Sequence, residues 1–355
     1  FPYTTLFRSI MAKVLVIRTS SFGDVAILVP VIFSVAAKYP QDRFSVMTRK
    51  AFAPLFENLG FNINVIPVDV TGRHKGIVGM FRIIRRVATL GFSHVADEHD
   101  VLRSKAIRFF MKMTGRKVAY IDKGRKEKRE MIANKNLQPP LKSTIERYQK
   151  VFDDLGFPAP MIFTNVLQFI PKDFSSLRAI ATEKTGKWVG IAPFSKHKGK
   201  IYPLEKMEKV IDKLSKEGNI TIFLFGAGKE EDRVLSKWAK MYPNTVNTMG
   251  KLNLERELML ISYLDVMLSM DSANMHLASL VQVPVISIWG ATHPSLGFYG
   301  FNQDLDNAIQ IDIECRPCSV YGDLPCQRED YACLERISED MVVSRIHKEL
   351  NKKES

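Results

Sequence analysis

Ala12-Lys-Val-Leu-Val-Ile17 leads into Arg18-Thr-Ser-Ser-Phe-Gly-Asp24, and that loop into Val25-Ala-Ile-Leu-Val-Pro-Val-Ile-Phe-Ser-Val-Ala-Ala-Lys38. The first run is short, apolar and rich in β-branched residues, the pattern of a strand buried on both faces of a parallel sheet. The last is too long for a strand and reads as a helix. Together they form the first half of a βαβ unit, and the rhythm repeats outward. Strands are predicted at 44–48, 63–67, 93–96 and 117–121, with helices near 76–90 and 101–113. After a proline-rich, weakly periodic stretch around 157–185 the pattern restarts. Strands follow at 188–192, 220–225, 264–268 and 283–288, with helices at 204–216, 229–241 and 271–281. The expected fold is α/β: two Rossmann-like doubly wound parallel-sheet domains facing across a cleft at the carboxyl ends of their strands. The boundaries read as 11–165 for the first domain, 166–185 for a linker, 186–345 for the second domain and 346–355 for a tail. Residues 1–10 read as a non-native leader and are set aside.

A chain of 355 residues suits two domains, and 46% hydrophobic with 25% charged residues excludes a disordered chain. No repeat of 20–50 residues is present, which excludes a solenoid. The net charge of +13 is unevenly placed: Met11–Asn165 holds 26 basic and 13 acidic residues, Val166–Ser355 24 and 25. The first half is therefore expected to face something anionic, with nucleic acid, a phosphorylated sugar and a membrane surface all open. Arg18 interrupts the apolar run after Met11, so no signal peptide is expected there. Ser272–Gln303 lacks charged residues but is broken by Asn, Gln, Pro, Gly and His, so it does not read as a membrane span. The expected location is cytoplasmic.

The chemistry-bearing clusters each follow a predicted strand, where open α/β sheets bind ligands. In Arg18–Val25, Gly23 permits a tight turn, while Asp24 reads either as a helix cap or as a general base. In Ala192–Glu205, Lys196, Lys198 and Lys200 read as a solvated loop or as phosphate-binding point charges. Phe225-Gly-Ala-Gly-Lys-Glu-Glu-Asp232 has Gly226 and Gly228 but Glu231 in place of the third glycine, a weak dinucleotide signal. In Met270–Ser279, small polar residues at a helix start leave N–H groups for an anion, and His276 reads as core or cleft. Trp289-Gly-Ala-Thr-His-Pro294 is a further strand end.

Taken together, these residues resemble the ADP-heptose:lipopolysaccharide heptosyltransferase family (glycosyltransferase family 9, GT-B fold). The resemblance covers Met11 to Leu350. It rests on Ser20-Ser-Phe-Gly-Asp24 with Pro30, on Lys200-Ile-Tyr-Pro203, on Gly226 with Glu230, and above all on Asp271-Ser-Ala-Asn-Met-His-Leu-Ala278. It implies a sugar acceptor on the first domain and a nucleotide-sugar donor, ADP-heptose or a related sugar, on the second. Asp24 would be the catalytic base of an inverting transfer. Ser195 and Lys200 would hold the donor diphosphate, Glu230 (or Glu231) the nucleoside, and Asp271 the donor sugar. Ser272, Ala273 and Asn274 would offer backbone N–H groups, with His276 fixing their turn. Ser21, Gly23, Asp97 and Arg103 would lie on the acceptor side. Tyr202 stands where many relatives carry Trp, keeping an aromatic wall.

No cofactor is expected for catalysis. The donor loops carry no D-x-D pair, Asp304 and Asp306 coming later, and lysine with a helix N-terminus can stabilise a departing diphosphate. The expected partners are a nucleotide sugar, an anionic lipopolysaccharide core acceptor and the inner-membrane surface as a peripheral contact. The basic residues from Arg73 to Lys117 would supply the field for the last two. Nucleic acid is not expected, because RNA-binding and helix-turn-helix motifs are missing. A nucleic-acid-binding protein and a nucleotide-sugar epimerase on the same sheets are the competing readings. Cys315-x₂-Cys318-x₇-Cys326-x₆-Cys333 reads as reduced thiols or as a structural zinc site.

Overall fold

The computed structural model describes residues 11–181 and 183–352, so the leader at 1–10 lies outside the described residues. The chain divides into two compact units. One comprises residues up to Asp122 together with Ile145–Phe163, and the other Lys123–Thr144 together with Thr164 onward.

The first unit is a five-stranded parallel sheet built from β1 (Lys13–Ile17), β2 (Arg43–Arg49), β3 (Ile63–Val68), β4 (His94–Asp97) and β5 (Lys117–Tyr120), in the order β3-β2-β1-β4-β5. The central strand β1 runs parallel to both neighbours, Val16 opposite Val46 on one side and Ala96 on the other. Its residues Val14 to Ile17 are buried, as an apolar strand in the middle of a two-faced sheet must be. Helices α1 (Phe22–Lys38), α2 (Gly76–Thr89) and α3 (Leu102–Met113) connect the strands. Ile83 and Val87 of α2 and Ile107 and Met111 of α3 pack on Leu15, Met47 and Val95 of the sheet. Each such side chain contributes about 1.5–3 kcal/mol by leaving water.

The second unit opens with α4 (Arg125–Asn134). Next comes α5 (Thr144–Leu155), which returns the chain to the first unit, where its Phe152 lies edge-on to Phe44. Six parallel strands then form the second sheet: β6 (Lys187–Ala192), β7 (Ile220–Leu224), β8 (Thr245–Asn247), β9 (Val266–Met270), β10 (Val285–Trp289) and β11 (Ala308–Gln310). Their order is β11-β10-β9-β6-β7-β8. The helices are α6 (Leu204–Ser215), α7 (Lys229–Met241), α8 (Leu254–Ser262), α9 (Ala273–Leu280), α10 (Ala332–Glu335) and α11 (Glu339–Asn351).

Several sequence expectations need correction. The boundary is not a single cut at 165. Residues 123–144 belong with the second unit, where Lys135 Nζ donates to the carbonyls of Cys315 (3.2 Å) and Pro317 (2.7 Å), and Leu141 N–H to that of Ser295 (2.9 Å). Seven Lys and Arg against two Glu go with that stretch, so part of the basic excess leaves the first unit. Residues 346–351 are not a tail: they are helix, capped by Ser338, with Ile346 and Leu350 in the core. The strand expected at 264–268 sits two residues later, at Val266–Met270. The three-residue strands β8 and β11 and the helices α4, α5, α8, α10 and α11 lie outside the expected elements.

Candidate active site

In the first unit, Ser21 takes the N-cap of α1, so the helix starts three residues before the expected Val25 and Asp24 is its third residue rather than its cap. The Asp24 carboxylate reaches back to the Ser21 backbone N–H at 3.2 Å and accepts from the Ser21 hydroxyl at 2.6 Å, as an acidic third residue does in a capping box. The same oxygen, Oδ2, meets Arg18 Nη2 at 2.5 Å. Arg18 is itself buried; its Nη1 donates to the Glu98 carbonyl at 2.6 Å. The Tyr148 ring lies 5.8 Å from the guanidinium, and its hydroxyl donates to the Asp24 carbonyl at 3.2 Å. Burial pushes Asp24 up, but the Arg18 charge and the Ser21 hydrogen bonds outweigh it and hold the carboxyl below its usual value. Its side chain keeps 24% of its exposure. The result is an ionised, oriented carboxylate with an open side, the state a general base needs before it takes a proton.

The loop after β4 is held by its own buried carboxylate. Asp97 is fully buried: Oδ1 accepts from the N–H groups of His99 (3.0 Å) and Asp100 (2.9 Å), and Oδ2 from Arg108 (3.0 Å). These bonds use both Asp97 oxygens to fold the loop. That loop presents the His99 ring to the hydroxyls of Thr19 (Nδ1, 3.2 Å) and Ser20 (Nε2, 3.1 Å), joining it to the segment before Asp24. Glu98 is buried with neither carboxyl oxygen hydrogen-bonded among the described residues, and burial raises it well above the usual carboxylate range. Ser21 is spent on Asp24, Gly23 is the second residue of α1, and Arg103, half-buried in the first turn of α3, bonds to none of these among the described residues.

In the second unit the residues expected on the donor side gather where β6, β9 and β10 end. Lys200 Nζ pairs with Asp271 Oδ2 at 2.9 Å, and the Thr292 hydroxyl donates to the same oxygen at 2.8 Å. Ser195 Oγ donates to the Asp271 carbonyl at 3.2 Å. Ser272 is the N-cap of α9, so Ala273, Asn274 and Met275 supply first-turn N–H groups that no turn of that helix can satisfy. Ser272, Ala273 and Asn274 are half-exposed, while His276 is buried within the same helix. Two glycines make this convergence possible. A Cβ on Gly290 would stand 2.4 Å from the Gly199 carbonyl oxygen, so only glycine lets the lysine loop cross the end of β10. Gly322, with φ +69°, lies under the Lys200 side chain, and a Cβ there would meet its Cγ at 2.6 Å.

Two residues with no assigned role in the sequence reading belong to this end of the sheet. Thr292 shares Asp271 with Lys200. Arg316 is buried and donates to the carbonyls of Gly290 (2.5 Å), Ile311 (2.7 Å) and Thr292 (2.8 Å), bracing the turn that carries Thr292. An arginine between two cysteines was the available signal. Glu230 is exposed in the first turn of α7, whereas Glu231 accepts from the Ala227 N–H at 2.7 Å and is committed to the helix start. Tyr202 is not a wall of the site: it is fully buried in the core, its hydroxyl on the Ile337 carbonyl at 3.0 Å. Cys315, Cys318, Cys326 and Cys333 line one cavity as free thiols, Cys333 pushed up to about 11 by burial. Among the described residues, no three His, Cys, Asp or Glu side chains stand in an arrangement that could hold a metal ion, so of the two readings of the four cysteines the zinc site is not shown. No described helix is long and apolar enough to cross a membrane.

The profile of glycosyltransferase family 9 (heptosyltransferase) matches residues 80–326, more than half of the chain. The chain belongs to that family. This glycosyltransferase is 23% identical over 308 residues to the lipopolysaccharide core heptosyltransferase OpsX of Haemophilus influenzae, covering 86% of each chain. Its fold is that of the E. coli ADP-heptose lipopolysaccharide heptosyltransferase II, with TM-score 0.70, 16% identity, and 97% and 100% of the two chains covered. E. coli heptosyltransferase WaaC, solved with ADP-2-deoxy-2-fluoro heptose, is similar at TM-score 0.67 and 18% identity, with 95% and 99% covered. Both parallel-sheet units of the glycosyltransferase are thus those of the GT-B heptosyltransferases.

Proposed function

We propose that this glycosyltransferase moves a heptose from ADP-heptose to a sugar hydroxyl of a lipopolysaccharide core, with inversion and without a metal ion. The observation that carries the reading is the Lys200–Asp271 pair at the head of α9, set among half-exposed residues of a helix N-terminus in a family 9 chain. Two of the relatives, OpsX and heptosyltransferase II, are lipopolysaccharide heptosyltransferases by name, and WaaC was solved with an ADP-heptose analogue. In the proposed reaction the acceptor oxygen bonds to the anomeric carbon and its proton passes to Asp24. The bond from that carbon to the diphosphate oxygen breaks, and the electron pair leaves with ADP. Lys200 and the N–H groups at the start of α9 stabilise the charge that develops there. Asp271, with Ser195 on its carbonyl, orients the donor sugar; Glu230 takes the ribose. The acceptor and the membrane surface that carries it are met by the basic first unit.

Calorimetric titration of the chain begun at Met11 with ADP, UDP, GDP and CDP, in the presence of a chelator, tests the donor. Selective ADP binding is expected; selectivity for another nucleotide overturns the donor assignment. Asp24→Ala should then lose transfer by a factor of about 10²–10⁴ with ADP affinity retained, and unchanged turnover removes Asp24 from the base role.

A further inference from the structure

The outer surface of α2 and α3 has a composition that the transfer chemistry does not explain. The two helices pack side by side on one face of the first sheet and spend Ile83, Val87, Ile107 and Met111 on the core. Their opposite faces are expected to be polar. Instead α2 exposes Ile77, Val78 and Phe81, at 71%, 65% and 61%, and α3 exposes Phe109 and Met113, at 68% and 72%. Exposed cations stand among them, Arg82, Arg85 and Arg86 on α2 and Lys105 and Lys112 on α3. No Asp or Glu occurs between Asp69 and Asp97, or between Asp100 and Asp122. Among the described residues, Arg82, Arg85, Arg86 and Lys112 form no ion pair.

A partner for this face must accept large apolar side chains and several cations at once. A second copy of the face would set like charges against each other. A nucleic acid or a free sugar phosphate would take the cations and leave Ile77, Val78 and Phe81 in water. The interface of an anionic bilayer accepts both, the rings and aliphatic groups entering the acyl boundary while Lys and Arg stay at the headgroups. We propose that the outer face of α2 and α3 docks this unit onto an anionic lipid surface, with Phe81, Phe109 and Met113 as the inserting groups. This deepens the reading of a lipid-anchored acceptor given above and rests on it for its purpose, though not for its test.

The test is co-sedimentation of the chain begun at Met11 with sugar-free vesicles of phosphatidylethanolamine and phosphatidylglycerol, against phosphatidylcholine alone. Binding to the anionic vesicles is expected, weakening with salt. It should fall about tenfold or more in Phe81→Ser/Phe109→Ser/Met113→Ser and in Arg82→Gln/Arg85→Gln/Arg86→Gln. The apolar variant should keep its melting temperature and its kcat/KM on a short water-soluble acceptor, because these side chains are exposed and Asp24 is held by Arg18 and Ser21. Vesicle binding that ignores lipid charge, or that survives both variants, overturns the proposal. So does a wild-type oligomer that the apolar variant converts to a monomer in light scattering, which would assign the face to a subunit contact. Vesicle binding without heptose transfer keeps this inference and removes the proposed reaction; transfer without vesicle binding does the reverse.

Discussion

The ammonium of Lys200 stands 2.9 Å from Oδ2 of Asp271, the residue that leads into the N-cap of α9. Asp271 is buried, and Thr292 shares the same oxygen, so the carboxylate keeps a hydrogen bond when the lysine is lost. Lys200→Met should therefore fold. Loss of one charge-assisted contact to a diphosphate should weaken ADP binding by about 1.5–3 kcal/mol. Turnover should fall further, by about 10²–10³, if the contact strengthens as the leaving group gains charge. Titration and initial rates separate the two effects. Wild-type ADP affinity in the variant would remove Lys200 from the donor site.

A second pairing sets the pH behaviour. Asp24 lies below its usual value because Arg18 and Ser21 overcome the upward push of burial. Ionised Asp24 thus contributes stability that is present above its unfolded pKa and lost as pH falls through the lower folded one. The acid limb of kcat/KM should lie in the same low range. Arg18→Met leaves burial unopposed by the guanidinium, so the limb should move upward. A limb that stays in place would show that the proton acceptor is another group.

Much of this was legible before any coordinates. The strand at Lys13–Ile17 was visible because a central parallel strand is apolar on both faces, and the helix start after β9 because Asp271-Ser-Ala-Asn follows an apolar strand. What escaped had weaker local signals. β8 and β11 have three residues each, too few for a period, and α4 is so polar that its buried Met131 alone hardly marks a face. Asp97 looked like a ligand because a carboxylate at a strand end has the same sequence signature whether it faces solvent or turns inward to bind its own loop. The three bonds it accepts show the inward turn, which local sequence does not carry.

Asp97 also offers a stability test. Its two oxygens hold two loop N–H groups and Arg108 with no exposure to water. Asp97→Asn removes one of the two carboxylates on Arg108, which keeps Asp100 at 3.0 Å, and loss of one charge-assisted hydrogen bond costs about 1.5–3 kcal/mol. Denaturant unfolding should show that loss, while the folded fraction keeps its acceptor KM. A selective rise in KM at unchanged stability would return Asp97 to acceptor binding.

Glu230 and Glu231 separate nucleotide recognition from helix capping. Both lie in the first turn of α7, but Glu231 is bonded to the Ala227 N–H, whereas Glu230 is exposed. Glu231→Ala should lower stability by about 0.5–2 kcal/mol, the usual range for a lost helix-start contact, and move ADP affinity little. Glu230→Ala should leave stability near wild type, since an exposed glutamate loses only a favourable place near the helix N-terminus, worth about 0.3–1 kcal/mol. Its ADP affinity should fall, and that for inorganic diphosphate should not, because the carboxylate is assigned to the ribose. If Glu231→Ala instead takes the nucleotide-specific loss, the recognition residue is one position along and the capping bond must open when ADP binds.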